Sequence, residues 1–276
     1  MSLMLRLLAI ILITSSFIKA DDLNQKLEQF LEDNFDTNPN IESINVKVKN
    51  KIEVEGHKDW SAFVVELDAI LKKDKRHVVQ NTIWFSDGKV VTKELYDFKS
   101  GKNMGDLVLM QFKDEYYTKA NLICGNENAK HKVAIFSDPL CPFCKQFVPE
   151  VINYMKKEPN KYAVYYYHFP LESIHPAAVE LIKAAIALEL QGKKDVILNL
   201  YKVNVNPKER SNEKILAEFN KVMNSNIKMS DLISKEVTDQ LKNDLKIVGE
   251  LMVNGTPTMF FDGKIDKTKN KYKEAQ

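Results

Sequence analysis

Cysteine is scarce in this chain of 276 residues, which holds only Cys124, Cys141 and Cys144. Three are too few for the dense bridging by which small exported proteins replace a missing core. An excess of charge of one sign is missing too, with 40 Lys and Arg against 38 Asp and Glu. Arg6 and Lys19 lie in the first twenty positions, and without them the balance is zero. A nucleic-acid binder would carry a clustered basic excess, so nucleic acid is not an expected partner. No apolar run beyond the N-terminus approaches the ~20 residues of a spanning helix. There is no internal repeat, and the lysine-rich end is the only biased tract.

What is present begins with MSLMLRLLAIILITSSFIKA, which sets Arg6 ahead of the apolar run Leu7 to Ile13 and exits at Ala20. This pattern predicts a cleavable signal peptide over residues 1–20 and hence an exported protein. The run is too short for a membrane anchor. In an oxidising compartment, two cysteines at CxxC spacing suggest redox work.

Residues 22–35 place Leu23, Leu27, Phe30 and Leu31 on one helical face. From Ser43 the period changes to two, with Ile44, Val46 and Val48, and then Ile52 and Val54 after an expected turn at Asn50-Lys51. Strand-like runs follow at Trp60–Leu71 and His77–Phe85, and Asp87-Gly88 signals a hairpin into Lys89–Thr92. One helix on an antiparallel sheet is expected over residues 21–105. Residues 106–124 read as a helical linker closed by the loop Gly125–Asn128, and a second domain is expected over residues 125–276. There Lys132–Phe136 is an apolar strand, Ser137–Leu140 a turn, and Phe147, Val148, Val151, Ile152 and Met155 one face of a helix. Tyr162–Phe169 completes a β-α-β unit. Helical patterns fill the stretch to Gly255, and Thr258–Phe261 is a strand turning through Asp262-Gly263.

Cys141-Pro142-Phe143-Cys144 falls on the first turn of the helix that follows a strand. Unpaired N–H groups and the helix dipole favour negative charge there, and so the thiolate of Cys141. The thiolate is the form that attacks disulfides. Cys144, one turn on and less exposed, would resolve the mixed disulfide, and Pro142 suits a first helical position that needs no N–H. A zinc half-site would need further ligands from the scattered His57, His77, His131, His168 and His175 with Cys124. A purely structural bridge would close too small a loop to stabilise much. Neither a metal nor a cofactor is expected. Gly255-Thr256-Pro257-Thr258 opens the late strand, where a cis-proline beside the dithiol would leave the Thr256 backbone free to pair with an extended peptide. His168 and His175 read as strand-end and helix-start residues, with Ser173 or His175 as a cap. Cys124 reads as a partly buried free thiol, and Lys264–Lys273 as a solvated tail.

The stretch from Phe136 to Phe147 resembles the thioredoxin-fold Dsb oxidoreductases of bacterial envelopes, most of all DsbG and then DsbC. Val253–Pro257, with Thr ahead of the proline, and Pro149 inside the helix are similar as well. Phe85-Ser86-Asp87-Gly88-Lys89 with Tyr96-Asp97 resembles the end of the DsbC and DsbG dimerisation domain. The resemblance implies an α+β chain made of an N-terminal cystatin-like helix-plus-sheet dimerisation domain, a helical linker, and a C-terminal thioredoxin fold with a helical insertion. It implies catalysis by Cys141 and Cys144, tuning by Pro142 and Phe143, and substrate binding at Thr256 and Pro257. The implied setting is a V-shaped periplasmic homodimer acting as an isomerase or reductase on unfolded or misfolded exported proteins, recharged by a DsbD-like or DsbB-like membrane partner. The alternatives are a DsbA-like oxidase and a periplasmic chaperone. Four departures stand out. The insertion between Cys144 and Pro257 is closer in length to that of DsbA, the dipeptide lacks the His of the DsbA motif, and no acid lies inside Lys132–Phe136 to act as a buried proton relay. The short tail after Ile265 leaves little room for a terminal helix.

Overall fold

The computed structural model describes residues 23–108 and 111–275, so the expected signal peptide lies outside the described residues. The chain divides into two compact units, Met1–Leu109 and Met110–Gln276.

In the first unit, helix α1 (residues 23–36) is followed by strands β1 (Ile41–Glu53), β2 (Ser61–Leu71), β3 (His77–Ser86) and β4 (Val91–Thr92). They form one antiparallel sheet in that order. Leu27 and Leu31 of α1 are buried against Val46, Phe63 and Val65. Phe30, expected on the same face, is 46% exposed, and Phe35 packs against the cluster in its place. Phe35 continues the i, i+4, i+8 stripe begun by Leu27, while Phe30 falls to its side. The carboxylates of Glu28 and Glu32 accept hydrogen bonds from the Val48 and Val46 amides at 2.7 and 2.9 Å, so α1 covers part of the outer edge of β1.

The turn expected at Asn50-Lys51 is absent. β1 runs through it, and the register slips between Val48, opposite Val65, and Asn50, opposite Val64. Lys49 is the extra residue of a β-bulge, which leaves the inward alternation of Val46 and Val48 intact while bending the strand. The Asp87-Gly88 hairpin does form. Gly88 has φ +85°, a conformation open to glycine at no steric cost, and Asp87 Oδ1 accepts the Lys89 and Val90 amides at 2.9 Å each.

The second unit is a five-stranded sheet in the order β5-β7-β6-β8-β9, from β5 (Leu122–Cys124), β6 (His131–Ser137), β7 (Tyr162–His168), β8 (Thr258–Phe261) and β9 (Lys264–Ile265). Only β6 and β7 are parallel, joined by α2 (Pro142–Met155) in a β-α-β unit. Both faces of the sheet are covered, which explains why β6 and β7 are almost wholly apolar instead of alternating. Val133, Ile135, Val164 and Tyr166 meet Val148, Val151, Ile152 and Met155 of α2 on one face. Ala134, Phe136, Tyr165 and Tyr167 meet Phe112, Ile247, Val248 and Leu251 on the other.

Between β7 and β8 the chain inserts α3 (Ala177–Leu190), α4 (Val196–Leu200), α5 (Asn212–Met223) and α6 (Lys235–Glu250). These helices share their own core, in which Leu181, Ala185, Ile215, Phe219 and Leu241 are buried. Ser211 and Ser234 cap α5 and α6 by accepting the Lys214 and Val237 amides, a contribution of about 1 kcal/mol each.

Among the described residues of 106–124 there is no α-helix where a helical linker is expected. Asp114–Tyr116 makes a single 3-10 turn and Leu122–Cys124 is strand β5, paired antiparallel with β7. Phe112 packs edge-on or tilted against Tyr116, Tyr117, Phe136, Tyr167 and Phe260, so these aromatics cover the sheet instead of lining a helix face. Burying one such ring is worth about 1.5–3 kcal/mol, more than a short helix gains from propensity. The second unit therefore begins ahead of residue 125. Gly125, with φ +87°, is needed where it stands, because a Cβ there would meet the Tyr162 carbonyl oxygen at 1.8 Å.

The tail is also more than solvated lysine. Its last turn, α7 (Lys271–Glu274), buries Tyr272 completely, and Tyr162 donates a hydrogen bond to the Tyr272 carbonyl at 2.7 Å.

Candidate active site

The site is built where β6 ends. Asp138 is fully buried in the turn after Ser137, and its Oδ1 accepts the Leu140 amide at 2.7 Å. Its backbone carbonyl accepts the Cys141 amide at 3.2 Å. Those two bonds fold the chain back so that Cys141, in extended conformation, is the N-cap of α2 and Pro142 its first residue. Cys141 thus sits at the end where backbone N–H groups lack helical partners.

Cys141 is 5% exposed, Cys144 is wholly buried one turn on, and Phe143 between them is 72% exposed. All three cysteines are unbridged. Opposite Cys141, the Thr256-Pro257 peptide is cis and precedes β8. The Cys141 sulfur lies 3.7 Å from the Thr256 carbonyl oxygen, within reach of a weak S–H donor bond. A groove of ≈ 380 Å³ is lined by Phe143, Phe147, Thr256 and Pro257, with Glu150 and Lys269 adding one charge of each sign. The structure thus brings Cys141, Phe143, Cys144, Thr256 and Pro257 together, with Pro142 on the same turn.

Burial pushes the Cys144 thiol up to about 11. Cys124, on β5 and half-buried, is likewise raised to about 11 by burial, which leaves it a poor nucleophile.

Two features escape the sequence reading. Asp138 supplies the buried carboxylate that β6 lacks, but from the turn. Its Oδ2 accepts the Leu171 amide at 2.8 Å and faces His175 Nδ1 at 2.9 Å, tying the β7–α3 loop to the dithiol turn. His175 therefore bonds Asp138, and α3 has no side-chain cap, since the N-cap position is Pro176. The second feature is a set of buried hydroxyls from Ser137, Tyr166 and Tyr201. The residue pair Ser137-Asp138, separated from the CxxC only by Pro139-Leu140, was the available signal for both.

Each of the five histidines faces a carboxylate: His57 with Asp97, His77 with Asp68, His131 with Asp262, His168 with Glu189 and His175 with Asp138. Among the described residues no three His, Cys, Asp or Glu side chains gather where they could hold a metal ion. No described helix is long and apolar enough to cross a membrane.

Solved structures similar to this chain include the thiol-disulfide exchange protein alpha-DsbA2 of Wolbachia pipientis, with 20% identity over 59% of this chain and 89% of that one and a TM-score of 0.48. BdbD of Bacillus subtilis has 17% identity over 60% and 92%, with a TM-score of 0.47. The catalytic domain of Proteus mirabilis ScsC has 22% identity over 59% and 94%, with a TM-score of 0.44. No curated protein matches the sequence. The thioredoxin family model matches residues 117–276, which takes in the β5-to-α7 unit with the dithiol and the cis-proline, and the chain belongs to that family.

Proposed function

We propose that the protein exchanges disulfides with exported proteins through Cys141 and Cys144. The observation that carries this reading is the placement of the Cys141 sulfur at the N-terminus of α2, 3.7 Å from the Thr256 carbonyl and beside a groove open to solvent. The Cys141 thiolate attacks a client disulfide, forming a mixed disulfide and expelling one client thiolate. Either that thiolate attacks another client sulfur, which isomerises the client, or Cys144 attacks Cys141. The second route leaves the Cys141–Cys144 pair oxidised and the client reduced by two electrons. Phe143 and Phe147 offer apolar contact to an unfolded chain, and the Thr256 backbone offers strand-like pairing.

The finer reading is a DsbG/DsbC-type isomerase or reductase of the periplasm, working as a homodimer and recharged by a DsbD-like or DsbB-like membrane partner. Supporting the dimer is the outer edge of β3. From His77 to Trp84 no described strand lies beside it, and Val79 there is 51% exposed. Such an edge is a template for pairing, and two-fold pairing is the commonest oligomer form. A cystatin-like helix-on-sheet unit joined this way would set two dithiols to one client.

The helical insertion α3–α6 favours a second reading, the DsbA-like oxidase. Trapping the redox state of Cys141–Cys144 in intact cells separates them. A mostly reduced pair supports isomerase or reductase, and a mostly oxidised pair supports oxidase.

A further inference from the structure

The lysine-rich tail reaches the groove beside the dithiol. From Lys264 to Glu274 it carries five lysines against two acids, Asp266 and Glu274. Of those lysines, Lys269 lines the groove with Phe143, Phe147, Glu150, Thr256 and Pro257. Its place is set by backbone bonds that start on β8, the strand that follows the cis-proline. The Asp266 amide donates to the Met259 carbonyl at 2.8 Å, which ties the tail to that strand. Asp266 is 1% exposed, and its carboxylate gathers the next turn around itself. Oδ1 accepts the Thr268 hydroxyl at 2.7 Å and the Thr268 and Lys269 amides at 3.1 and 3.0 Å, while Oδ2 accepts the Lys271 amide at 3.0 Å. The far side is fixed as well, because Tyr272 is wholly buried and Lys273 reaches Glu150 on α2 at 3.4 Å.

Held this way, Lys269 takes φ +56°. That left-handed region suits glycine, and other residues enter it at a cost. Glycine would meet the geometry of the turn freely but would bring no charge to the groove. Nor is the charge of Lys269 cancelled. Glu150, the carboxylate lining the same groove, pairs with Lys273, and no ion pair joins Lys269 to a described residue. The neighbouring walls, Phe143, Phe147 and Pro257, are apolar, and low-dielectric walls focus the field of a charge into a cleft.

We propose that Lys269 is a specificity-determining residue, which selects among unfolded clients those that carry a carboxylate close to the reacting cysteine. The inference rests on the exchange reading above and names the substrate class of that site. A client paired with the Thr256 backbone is extended, and its side chains alternate between two faces. The residue two positions from its cysteine therefore shares the cysteine's face, about 7 Å along the strand. Asp or Glu at that position meets the Lys269 ammonium. The backbone of Lys269 is already fixed, so only side-chain ordering opposes the attraction. The exchange step keeps its form: the Cys141 thiolate attacks the client sulfur, the old S–S bond breaks, and the departing sulfur leaves with the electron pair. What Lys269 changes is how often an acidic segment occupies the groove when that step begins.

The test mixes reduced protein with synthetic peptides, each holding one cysteine joined as a mixed disulfide to an aromatic thiol, with Glu, Gln or Lys at the second position on both sides. Attack by Cys141 on the peptide sulfur frees the coloured aromatic thiolate and so reports the second-order rate constant. Each rate is divided by that with a small neutral thiol, which removes intrinsic differences among the peptides. At low salt the Glu peptide should react about threefold faster than the Gln peptide, and the Lys peptide about threefold slower, the size expected of an ion pair at a surface. A peptide with both Glu moved to its ends should react like the Gln peptide. Lys269→Gln should bring the rates together, Lys269→Glu should invert their order, and Lys269→Arg should keep it. Salt at about 1 M, where the screening length is about 3 Å, should erase the preference in the unaltered protein. The parental Glu-to-Gln ratio retained in Lys269→Gln, a ratio of one in the parent, or equal rates for near and distant Glu overturns the inference and leaves the exchange reading standing. Should the variants not fold, the salt series on the unaltered protein decides alone, and a Glu preference that survives high salt overturns the inference. No release from any peptide overturns the exchange reading and the inference with it.

Discussion

The carbonyl oxygen of Thr256 stands 3.7 Å from the sulfur of Cys141, although 115 positions separate the two residues along the chain. The contact brings the loop ahead of β8 against the N-terminus of α2, and it sets the backbone a client would pair with beside the sulfur that would attack it.

Phe143 is the largest exposed apolar group on this surface, at 72% exposure. Phe143→Ser should lower kcat/KM for an unfolded, scrambled protein several-fold, mostly through KM, since losing contact with one aromatic ring forfeits about 1–2 kcal/mol. The loss with a small-molecule disulfide should be much less. Steady-state kinetics with both substrates measures the contrast, and equal losses would show that Phe143 makes no client contact.

The edge of β3 should carry the dimer. Val79→Lys places a charge at its exposed centre, and light scattering at micromolar concentration should then find monomers where the parent protein gives dimers. A parent that is already monomeric would remove the dimer from the account.

Asp244 on α6 ties the insertion to the sheet. Its carboxylate accepts the His168 amide at 3.0 Å, the Asn121 side chain at 2.9 Å and the Gln240 side chain at 3.1 Å. Burial outweighs the pull of His168 and these bonds and raises the group from 3.8 to about 6. A carboxyl raised on folding binds its proton more tightly in the native state, so its contribution is complete below the unfolded value and is lost as pH rises through about 6. Unfolding free energy should therefore fall by roughly 3 kcal/mol from this group between those limits. Asp244→Asn should flatten that part of the profile, as read by denaturant titration across the range, and an unchanged slope would contradict it.

Tyr272 is the anchor of the last helix. Tyr272→Ala empties a fully buried site and should destabilise the second unit by about 3–5 kcal/mol. A fall of several degrees in the thermal midpoint is expected, and an unchanged midpoint would contradict the anchoring role.

The dithiol, its helix and the flanking strands were legible because their signals are local: a CxxC, a proline at the first helical position and an apolar run on each side. Thr256-Pro257 was legible only through its order in the chain. Asp138 and the Ser137–Tyr201–Tyr166 run were not, since they arise where the end of β6, β7 and the insertion meet, and no periodicity records that meeting. The helical reading of residues 106–120 leans on Leu107, Met110 and Tyr117, and it misleads because an aromatic that caps a sheet face, as Tyr117 does, looks like one on a helix face over so short a stretch. Asn50-Lys51 carries turn residues, and a bulge uses the same types without reversing the chain. Lysine density hid Tyr272, since the average polarity of the tail says nothing about one ring that fits a gap in the core.

The most direct measurement is the intact mass and peptide map of Cys144→Ser protein after incubation with an oxidised, unfolded client. Without the resolving sulfur, the attack by Cys141 should stop at the mixed disulfide, giving a covalent complex in high yield with the client sulfur on Cys141. Cys141→Ser should give almost none. Equal adducts with both variants, or an adduct mapped to Cys124, would contradict the assignment of Cys141 as the attacking sulfur and Cys144 as the one that releases the client.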